Sequence, residues 1–514
     1  MKNNIRISFI LLSFVFLLNS CNEWLSVLPE NEQVSDEYWT SKEEVESVLA
    51  SGYVYLRATV PYLIEWGELR GGCIYDDQIG GNDLQTFQVS PDDKDLCNWA
   101  PLYKVIGMAN SVLANAEAVQ LKDETFDFAV MQSYMTEAYF LRALCYFYIV
   151  RNWRDAPLIL QPYEDDKISY EIAKSSEAEI ITQIKLDINT ALGTGAAKTT
   201  FEEDWETKGR ATKWALEALM ADVCLWSEDY GAAIISCNEI LDATSAFRPV
   251  FLSDPAKWYE IYYPGNSNES IFEIQWNQRD YSQSNDLSTV FGNSTPNYLY
   301  TDQMLWDFIN ETEKTGVDQA VRTIFGGYVP NTDAAEYQKA TKGYVWKYSG
   351  IGVQDQVRNT TDEQDPHFII YRVADVMLMK AEAMVLNSST EDSWAAAINL
   401  INEIRTRSNL PEISPVLEEL SQEDMLEFIL YERRMELAAE GKCWYDLLRF
   451  GKRNGFEYRE QFLINEIVLY NNTANSSWIR SVLMNDDALY LPIWTDELLN
   501  NSLLEQNPYY DIVN

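Results

Sequence analysis

Histidine, basic residues and closely spaced cysteines are all scarce in this sequence. Its single histidine, His367, excludes a metal site with two histidine ligands in one chain, and a serine or cysteine nucleophile would have to use His367 as its base. Lysine and arginine number 39 against 80 aspartates and glutamates, which gives a formal net charge of −41. Because so negative a surface repels phosphates, binding to nucleic acid or to anionic lipid through a polybasic patch is excluded. No two of the 7 cysteines are spaced C-x-x-C, which excludes zinc-ribbon and thioredoxin-like motifs.

Aromatic residues, in contrast, are plentiful. The 514 residues include 16 tryptophans and 31 tyrosines, and 46% of the chain is hydrophobic. A chain of this composition can build a large core, so general disorder is not expected. The aromatic excess is a first indication of sugar binding, although tryptophan and tyrosine also fill cores.

The first 20 residues have the pattern of a signal peptide. Lys2 and Arg6 precede an apolar run from Ile7 to Leu18, which is too short to span a bilayer because a spanning helix needs about 20 residues. The following Leu18-Asn19-Ser20-Cys21 resembles a bacterial lipobox, so we expect Cys21 to be lipidated and to become the new N-terminus. The alternative is a plain secretory peptide followed by an incidental cysteine. No later run is apolar and long enough to predict a transmembrane helix.

Helical periodicity dominates the rest of the chain. Between residues 131 and 150, Tyr134, Ala138, Leu141, Cys145 and Tyr148 fall on one face of a helix. Similar patterns predict helices over Glu43–Leu56, Leu102–Ala118, Glu177–Leu192, Thr212–Trp226, Tyr230–Leu241, Tyr371–Leu386, Ser393–Arg407 and Gln422–Ala439.

Some of these helices form pairs joined by short polar turns. Residues 219–241 and 381–401 both read as a helix, a turn and a second helix that begins with alanines and isoleucine. Both resemble tetratricopeptide units, whose period is about 34 residues, because small alanines let antiparallel helices approach closely and stacking buries a shared apolar face. Unrelated helical hairpins are the alternative.

Three stretches lack a sustained period and are rich in turn residues: those near 61–101, 254–297 and 326–365. Short strands are expected over Ser270–Trp276 and Gly343–Tyr348. Irregular insertions on a helical scaffold commonly carry binding sites. Since no low-complexity linker divides the chain, we expect residues 21–514 to form a single unit. The predicted fold is therefore mainly α, with a helical layer, a loop-rich layer and a few short strands.

Cysteines and acidic residues each leave alternatives open. Cys145, Cys224 and Cys237 lie within apolar helical patterns and are expected in the core. Cys73 and Cys97 lie in a loop-rich stretch, where they either pair as a disulfide or remain thiols. The run Asp92–Asp95 either holds calcium or forms a solvated acidic turn; the turn is favoured because the run lacks the glycine and terminal glutamate of an EF-hand loop.

Several segments together resemble the SusD/RagB family. They are, in order, the lipobox with residues 21–29, Glu137–Ala143 with Asp155–Leu158, Tyr371–Ala383, Glu432–Leu447, and Leu491–Glu497 with Gln506–Tyr510. The sequence departs from the family pattern at Cys443, Trp494 and Tyr509, where a basic residue, a proline and a glycine are usual. These departures concern structural elements.

The resemblance implies a fold, a location and partners. The expected fold is SusD-like, a solenoid of tetratricopeptide-type helix pairs with a loop-rich ligand-binding face. The expected protein is a lipoprotein of the outer membrane, facing the cell exterior, that captures an oligosaccharide, polysaccharide or similar nutrient for a SusC-like TonB-dependent transporter. The resemblance also implies that the protein needs no cofactor and catalyses no reaction. The ligand itself does not follow, and a peptide is an alternative to a glycan.

The expected ligand site combines aromatic platforms with carboxylates, since a sugar presents apolar C–H faces and polar hydroxyls. The loop Glu68–Gln78 lies where the family often carries its ligand loop, and it places Tyr75 beside Asp76 and Asp77. Further candidate platforms are Trp66, Trp276, Tyr281, Tyr298 and Trp346. For each of these aromatics, packing in a core or loop is the alternative.

The charged residues of the last signature have a structural interpretation. We expect Glu432, Arg433, Arg434, Glu436 and Glu440 to form ion pairs that lock a helix to the body, with Trp444 and Leu447 packed beneath, and Asp375 and Glu382 to anchor helix contacts. Two other functions remain open. A glycoside hydrolase needs two carboxyls about 5–9 Å apart, which nothing in the sequence places, and a helical scaffold that binds only proteins would not bind glycans.

Overall fold

The computed structural model describes residues 38–77, 82–163, 169–292, 296–315, 321–322, 327–328, 344–351, 357–359, 361–471 and 475–511. The predicted signal peptide, the predicted lipidation site Cys21 and much of the stretch 326–365 lie outside these residues. No helix in the described part is both long and apolar enough to cross a bilayer.

Long helices make up most of the described structure. They are α1 (Lys42–Arg57), α2 (Val60–Glu68), α3 (Ala100–Lys122), α4 (Phe128–Trp153), α5 (Glu177–Gly193), α6 (Lys213–Trp226), α7 (Tyr230–Leu241), α8 (Asp302–Thr315), α9 (Val373–Asn387), α10 (Glu391–Arg407), α11 (Gln422–Leu437) and α12 (Cys443–Phe456). Shorter helical segments are Leu69–Gly71, Asp83–Thr86, Lys94–Cys97, Asp204–Gly209, Pro255–Ile261, Gln278–Tyr281, Leu287–Gly292, Trp346–Ser349, Leu417–Glu419, Arg459–Ile464, Asn465–Tyr470, Ser476–Leu483, Asp487–Leu489 and Thr495–Asn500.

The long helices stack on their neighbours in the manner of a solenoid. Helix α3 packs on α1 and α4, α4 on α5, α6 on α7, α7 on α9, and α9 on α10 and α11. Ala215, Ala218 and Ala221 on α6 are fully buried, and such small side chains let paired helices approach closely. The two predicted helix pairs, α6–α7 and α9–α10, are confirmed, as is the mainly α fold.

In the described ranges, strands are short and form four two-stranded antiparallel ribbons. They pair β1 (Ile74–Asp76) with β5 (Tyr298–Tyr300), β2 (Ala156–Pro157) with β3 (Lys174–Ser175), β4 (Ser270–Ile274) with β8 (Phe368–Arg372), and β6 (Gly327–Tyr328) with β7 (Tyr344–Val345). Two sequence predictions were wrong here. Tyr371 and Arg372 end strand β8 instead of opening a helix, and of the predicted strand Gly343–Tyr348 only Tyr344–Val345 is extended in the described residues, since Trp346 begins the short helix Trp346–Ser349.

A buried ion-pair cluster joins β8 to α10 and α11. Arg372 Nη1 lies 2.9 Å from Glu269 Oε1 and 2.7 Å from Glu436 Oε1, and Arg407 Nη1 lies 3.1 Å from Glu269 Oε2. Burial alone would raise the pKa of Glu436, but Arg407 and Arg372 lower it overall. The cluster holds these elements together through charges that water does not screen.

A second cluster joins α9, α11 and α12. Arg433 Nε lies 2.8 Å from Asp446 Oδ2 and its Nη2 lies 3.0 Å from Asp375 Oδ1, while Arg449 Nη2 lies 2.8 Å from Glu382 Oε2. Among the described residues, buried acidic and buried basic side chains are nearly equal in number. The interior is therefore close to electrically neutral.

The remaining charged residues of the signature are also paired. Glu432 pairs with Arg322, and Arg434 Nη2 lies 2.6 Å from Glu466 Oε2. Trp444 and Leu447 are buried beneath them. The structural interpretation of the signature is confirmed.

Two glycines permit a close approach of α2 to the turn after α11. A Cβ atom on Gly67 would lie 2.1 Å from the carbonyl oxygen of Gly441, a distance that no side chain tolerates. Gly441 itself has φ +73°, in the left-handed region that glycine adopts without strain. This contact fixes the end of α2, which leads into strand β1.

The six described cysteines are unpaired thiols, and all are buried. The alternative of a Cys73–Cys97 disulfide is therefore wrong: Cys97 Sγ donates a hydrogen bond to Ser90 O at 3.3 Å, and Cys73 lies beside Cys443. Cys145, Cys224 and Cys237 occupy the helical core, as predicted.

The acidic run Asp92–Asp95 is a turn with local hydrogen bonds. Asp93 Oδ1 accepts the backbone N–H groups of Asp95 and Leu96 at 3.0 and 3.2 Å, which caps the short helix Lys94–Cys97. Asp92 Oδ1 accepts the hydroxyl of Thr495 at 2.6 Å. The carboxylates of Asp92 and Asp93 thus form hydrogen bonds that stabilise the fold.

Candidate ligand-binding site

The ribbon of β1 and β5 brings four of the predicted site residues together. Its register places Tyr75 opposite Leu299 and Asp76 opposite Tyr298, and Asp77 N–H donates to Asn297 O at 2.8 Å just beyond the strand. Ile74, Leu299 and Tyr300 are buried and fix the ribbon to the core. Tyr75, Asp76 and Tyr298 are half-buried and Asp77 is exposed, so this end of the ribbon combines aromatic rings with carboxylates at the surface.

Tyr75 is a neutral hydrogen-bonding group on this surface. Its hydroxyl lies 3.5 Å from Asp77 Oδ1. Partial burial and the negative charges of Asp77 and Asp302 raise the pKa of Tyr75 to about 12. The hydroxyl therefore keeps its proton at neutral pH and presents both a donor and an aromatic face.

Glu65, which the sequence did not indicate, stands behind the ribbon on α2. Tyr298 donates its hydroxyl hydrogen to Glu65 Oε1 at 2.6 Å. Burial, assisted by the negative charge of nearby Asp76, raises the pKa of Glu65 to about 7. The hydrogen bond from Tyr298 acts in the opposite direction and lowers it. The bond orients the Tyr298 ring beside Asp76.

Trp66 is not a surface platform. Its side chain is fully buried, and Nε1 donates to Leu96 O at 2.8 Å. The ring contacts Trp153 edge to face at a centroid distance of 5.1 Å, and Trp153 contacts Trp99 at 5.7 Å. The expectation that Trp66 presents a face to ligand is corrected, because both faces are occupied by core packing.

Trp276 and Trp346 are also packed inside. They are 8% and 5% exposed, and Trp346 belongs to a small core that includes Trp258 and Ile261. Their proposed role as platforms is corrected for the same reason as that of Trp66. Tyr281, on the short helix Gln278–Tyr281, is 66% exposed and so has a ring open to solvent.

Both ring nitrogens of His367 are engaged with structural partners. Nδ1 lies 2.6 Å from Glu273 Oε2, and Nε2 lies 3.1 Å from Trp276 O. Glu273 is fully buried. The histidine therefore links strand β4 to the start of β8 and faces no serine or cysteine nucleophile.

Within the described residues, one group has the donor types of a metal site. Ligand atoms of Glu68, Cys73 and Cys443 lie within 4.8 Å of one another, all buried. Burial raises the pKa of Glu68 to about 7 and that of Cys73 well above its ordinary value, so the neutral forms are favoured. The positive charge of Arg434 acts on the thiols of Cys73 and Cys443. This charge disfavours the binding of a metal cation between them.

Comparison with known proteins extends over both halves of the chain. The model of the SusD family matches residues 252–510, and a second model, described as starch-binding and associating with the outer membrane, matches residues 23–225.

The chain belongs to the SusD family.

A curated relative and two solved structures agree with this assignment. A SusD-like protein, P38, from Formosa agariphila is 28% identical, covering 99% of both chains. A SusD superfamily structure from Bacteroides vulgatus has a TM-score of 0.71 at 19% identity over 92% of this chain and 99% of its own. A laminarin-binding SusD-like protein has a TM-score of 0.66 at 21% identity over 92% of this chain and 100% of its own, and these two likenesses establish the fold. The family assignment makes the chain a glycan-binding protein associated with the outer membrane.

Proposed function

We propose that this SusD-family protein captures a glycan chain at the β1–β5 ribbon, without cleaving it, and delivers it to a SusC-like TonB-dependent transporter. Cys21 carries the lipid anchor that holds the protein at the cell exterior. The observation that carries the proposal is the end of the ribbon, where Tyr75 and Asp77 lie on one face and Asp76 and Tyr298 on the other. A laminarin-binding relative of the same fold supports a glycan as the ligand class.

The chemistry of the ribbon suits a neutral sugar. The half-exposed ring of Tyr75 covers the C–H face of a pyranose, while Asp77, on the same face of the strand, accepts hydrogen bonds from its hydroxyls. Tyr298 is held in place by its 2.6 Å bond to Glu65, so little side-chain entropy is lost when ligand binds. The acidic surface of the chain favours neutral over sulfated or uronic-acid glycans.

Binding is tested by affinity electrophoresis of the mature chain against a panel of neutral polysaccharides. Tyr75→Ala should weaken the affinity measured by retardation at least about tenfold, because it removes the aromatic face. A tenfold change in affinity corresponds to about 1.4 kcal/mol. The matched control is Phe128→Ala, which removes another surface ring, 64% exposed at the start of α4. Equal binding by Tyr75→Ala, Asp76→Asn and wild type would place the glycan elsewhere.

One observation favours the alternative of a glycoside hydrolase. A carboxyl whose pKa is raised to about 7, Glu65, stands near Asp76, and glycosidases use such unlike carboxyl pairs. Against it, Glu65 is hydrogen-bonded behind Tyr298. Release of reducing ends during incubation with the bound polysaccharide, abolished by Glu65→Gln, would establish hydrolysis; binding without release supports capture.

The lipid anchor and the transporter partner are tested by two separate experiments. Cys21→Ser should move the protein from the membrane fraction to the soluble fraction, since the acyl chains provide the membrane affinity. Affinity purification of the lipidated protein from outer membranes should recover a TonB-dependent transporter, and its absence from crosslinked preparations would contradict delivery.

A further inference from the structure

A pocket lies outside the ribbon, between the first turns of α3, residues from 157–163 and 169–172, and the helix Thr495–Asn500. Its volume is about 410 Å³, which is within the usual range for small-molecule sites. Aromatic rings of Trp99, Tyr103, Tyr163 and Tyr170 line it, and Gln161, Glu497 and Asn500 add polar groups.

Two of these rings form a double aromatic wall at the surface. Tyr163 and Tyr170 stack with a centroid distance of 4.9 Å and an interplanar angle of 24°. Tyr170 is 58% exposed, so the outer layer of the stack is open to solvent. A rigid ring pair of this kind presents a flat apolar face, which the C–H face of a sugar ring matches.

The hydrogen-bonding groups of the pocket are of two kinds. Some are satisfied within the protein: Tyr103 donates its hydroxyl hydrogen to Pro157 O at 2.6 Å, and Asn110 Nδ2 donates to Ile159 O at 3.0 Å. The hydroxyl of Tyr163, in contrast, is buried and has no hydrogen-bond partner among the residues that the structure describes. A buried hydroxyl without a partner is uncommon in native structures, and a ligand hydroxyl would satisfy it.

We propose that this pocket is a second carbohydrate subsite, which binds one ring of a neutral glycan between the Tyr163–Tyr170 stack and the polar groups of Gln161, Glu497 and Asn500. Lys104 is the cationic side chain among the lining residues, and Glu497 offsets it, so the pocket has no charge suited to an anionic ligand. Amide and carboxylate groups with an aromatic face are the combination that sugar hydroxyls and C–H groups require.

The subsite rests on the proposed function and gives the bound glycan a second point of attachment to the protein. Trp99 in its wall is joined to Trp66 through Trp153 by two successive ring contacts in the core. Trp66 directly follows Glu65, the partner of Tyr298 in the ribbon. Because packed rings link the two sites, their separation is fixed, and a glycan that reaches both gains affinity through effective concentration.

The experiment compares five versions of the mature chain by isothermal titration with a polysaccharide and a short oligosaccharide of the same glycan. They are the wild type, Tyr170→Ala, Tyr163→Phe and Tyr75→Ala, with Phe128→Ala as the control for loss of an exposed ring. Tyr170→Ala should lower polysaccharide affinity about five- to tenfold, and Tyr163→Phe, which keeps the stack but removes the hydroxyl, about two- to fivefold. Unchanged thermal midpoints show that the variants fold.

The outcomes separate the two sites. Loss of binding in Tyr75→Ala with no change in Tyr170→Ala and Tyr163→Phe overturns the second subsite and leaves the ribbon intact. Loss in Tyr170→Ala with no change in Tyr75→Ala supports the subsite and overturns the ribbon as the capture site. If no glycan of the panel binds the wild type, both proposals fail.

Discussion

Arg372 donates two parallel hydrogen bonds to Glu440, from Nε to Oε2 and from Nη2 to Oε1, each 2.9 Å long. Neither side chain is accessible to solvent beyond 2%. The same carboxylate also receives Nζ of Lys347 at 2.6 Å. Burial alone would raise the pKa of Glu440, but Arg372 and Lys347 hold it far below its ordinary value. One carboxylate thus bridges two buried cations at the junction of strand and helix.

Replacing Glu440 by Gln should destabilise the protein by about 3–5 kcal/mol, because it removes the buried carboxylate paired with Lys347 and one of the three paired with Arg372. Denaturant unfolding followed by tryptophan fluorescence measures the change. Glu460→Gln is the matched control, since Glu460 pairs with Arg480 at the surface and should cost no more than about 1 kcal/mol. Equal effects of the two variants would show that burial does not govern this cluster.

Glu68 should make stability depend on pH. Its pKa is raised to about 7, mainly by burial, from an ordinary value of 4.5. Between these values the folded state binds more protons at this site than the unfolded state, so its contribution to the free energy of unfolding falls as pH rises. Glu68→Gln removes this dependence. The stability of the variant relative to wild type should increase by about 3 kcal/mol between pH 4.5 and pH 7, measured by denaturant titration. A constant difference across that range would contradict the raised pKa.

Gly67→Ala should destabilise the protein by several kcal/mol or prevent folding, because the added Cβ would meet the backbone carbonyl of Gly441 at 2.1 Å. Gly107→Ala is the control: it lies in the interior of α3 with nothing within 4 Å of the added atom, and it should stabilise by about 0.5–1 kcal/mol. Thermal melts of both variants provide the comparison. A Gly67→Ala protein as stable as wild type would show that the helix and turn separate easily.

Cys73 and Cys97 should remain thiols in the folded protein, since each lies against other groups in the core. Alkylation of the denatured, unreduced mature chain followed by peptide mass spectrometry should find both modified. A disulfide-linked peptide containing the two residues would refute the arrangement.

The sequence predicted the helical scaffold well, because apolar residues at helical spacing on α4, α6 and α7 report directly which face is buried. It misplaced the start of α9, since every residue of β8 is buried and such a strand has no alternation to distinguish it from a helix. The charged signature was interpreted correctly through the family resemblance, with Arg433 and Glu436 as structural ion pairs.

The arrangement of the candidate ligand surface followed only in part from the sequence. Tyr75 and Asp76 lie in one short segment, so their proximity follows from the chain itself, but Tyr298 joins them through a strand pairing of distant segments. Glu65 gave no signal, because one acid within an apolar helix has many possible partners. Trp66 and Trp346 were misjudged because a tryptophan suits a core and a sugar platform equally well, and only tertiary packing decides between them.

The near balance of buried acidic and basic groups has a consequence for how closely copies of the protein approach one another. Since the interior is almost neutral, the excess of negative charge lies on the outside. Neighbouring copies at the outer membrane therefore repel one another at close range, over a distance of about 8 Å at physiological ionic strength. Such repulsion opposes lateral clustering, and raising the salt concentration should let the copies pack more densely.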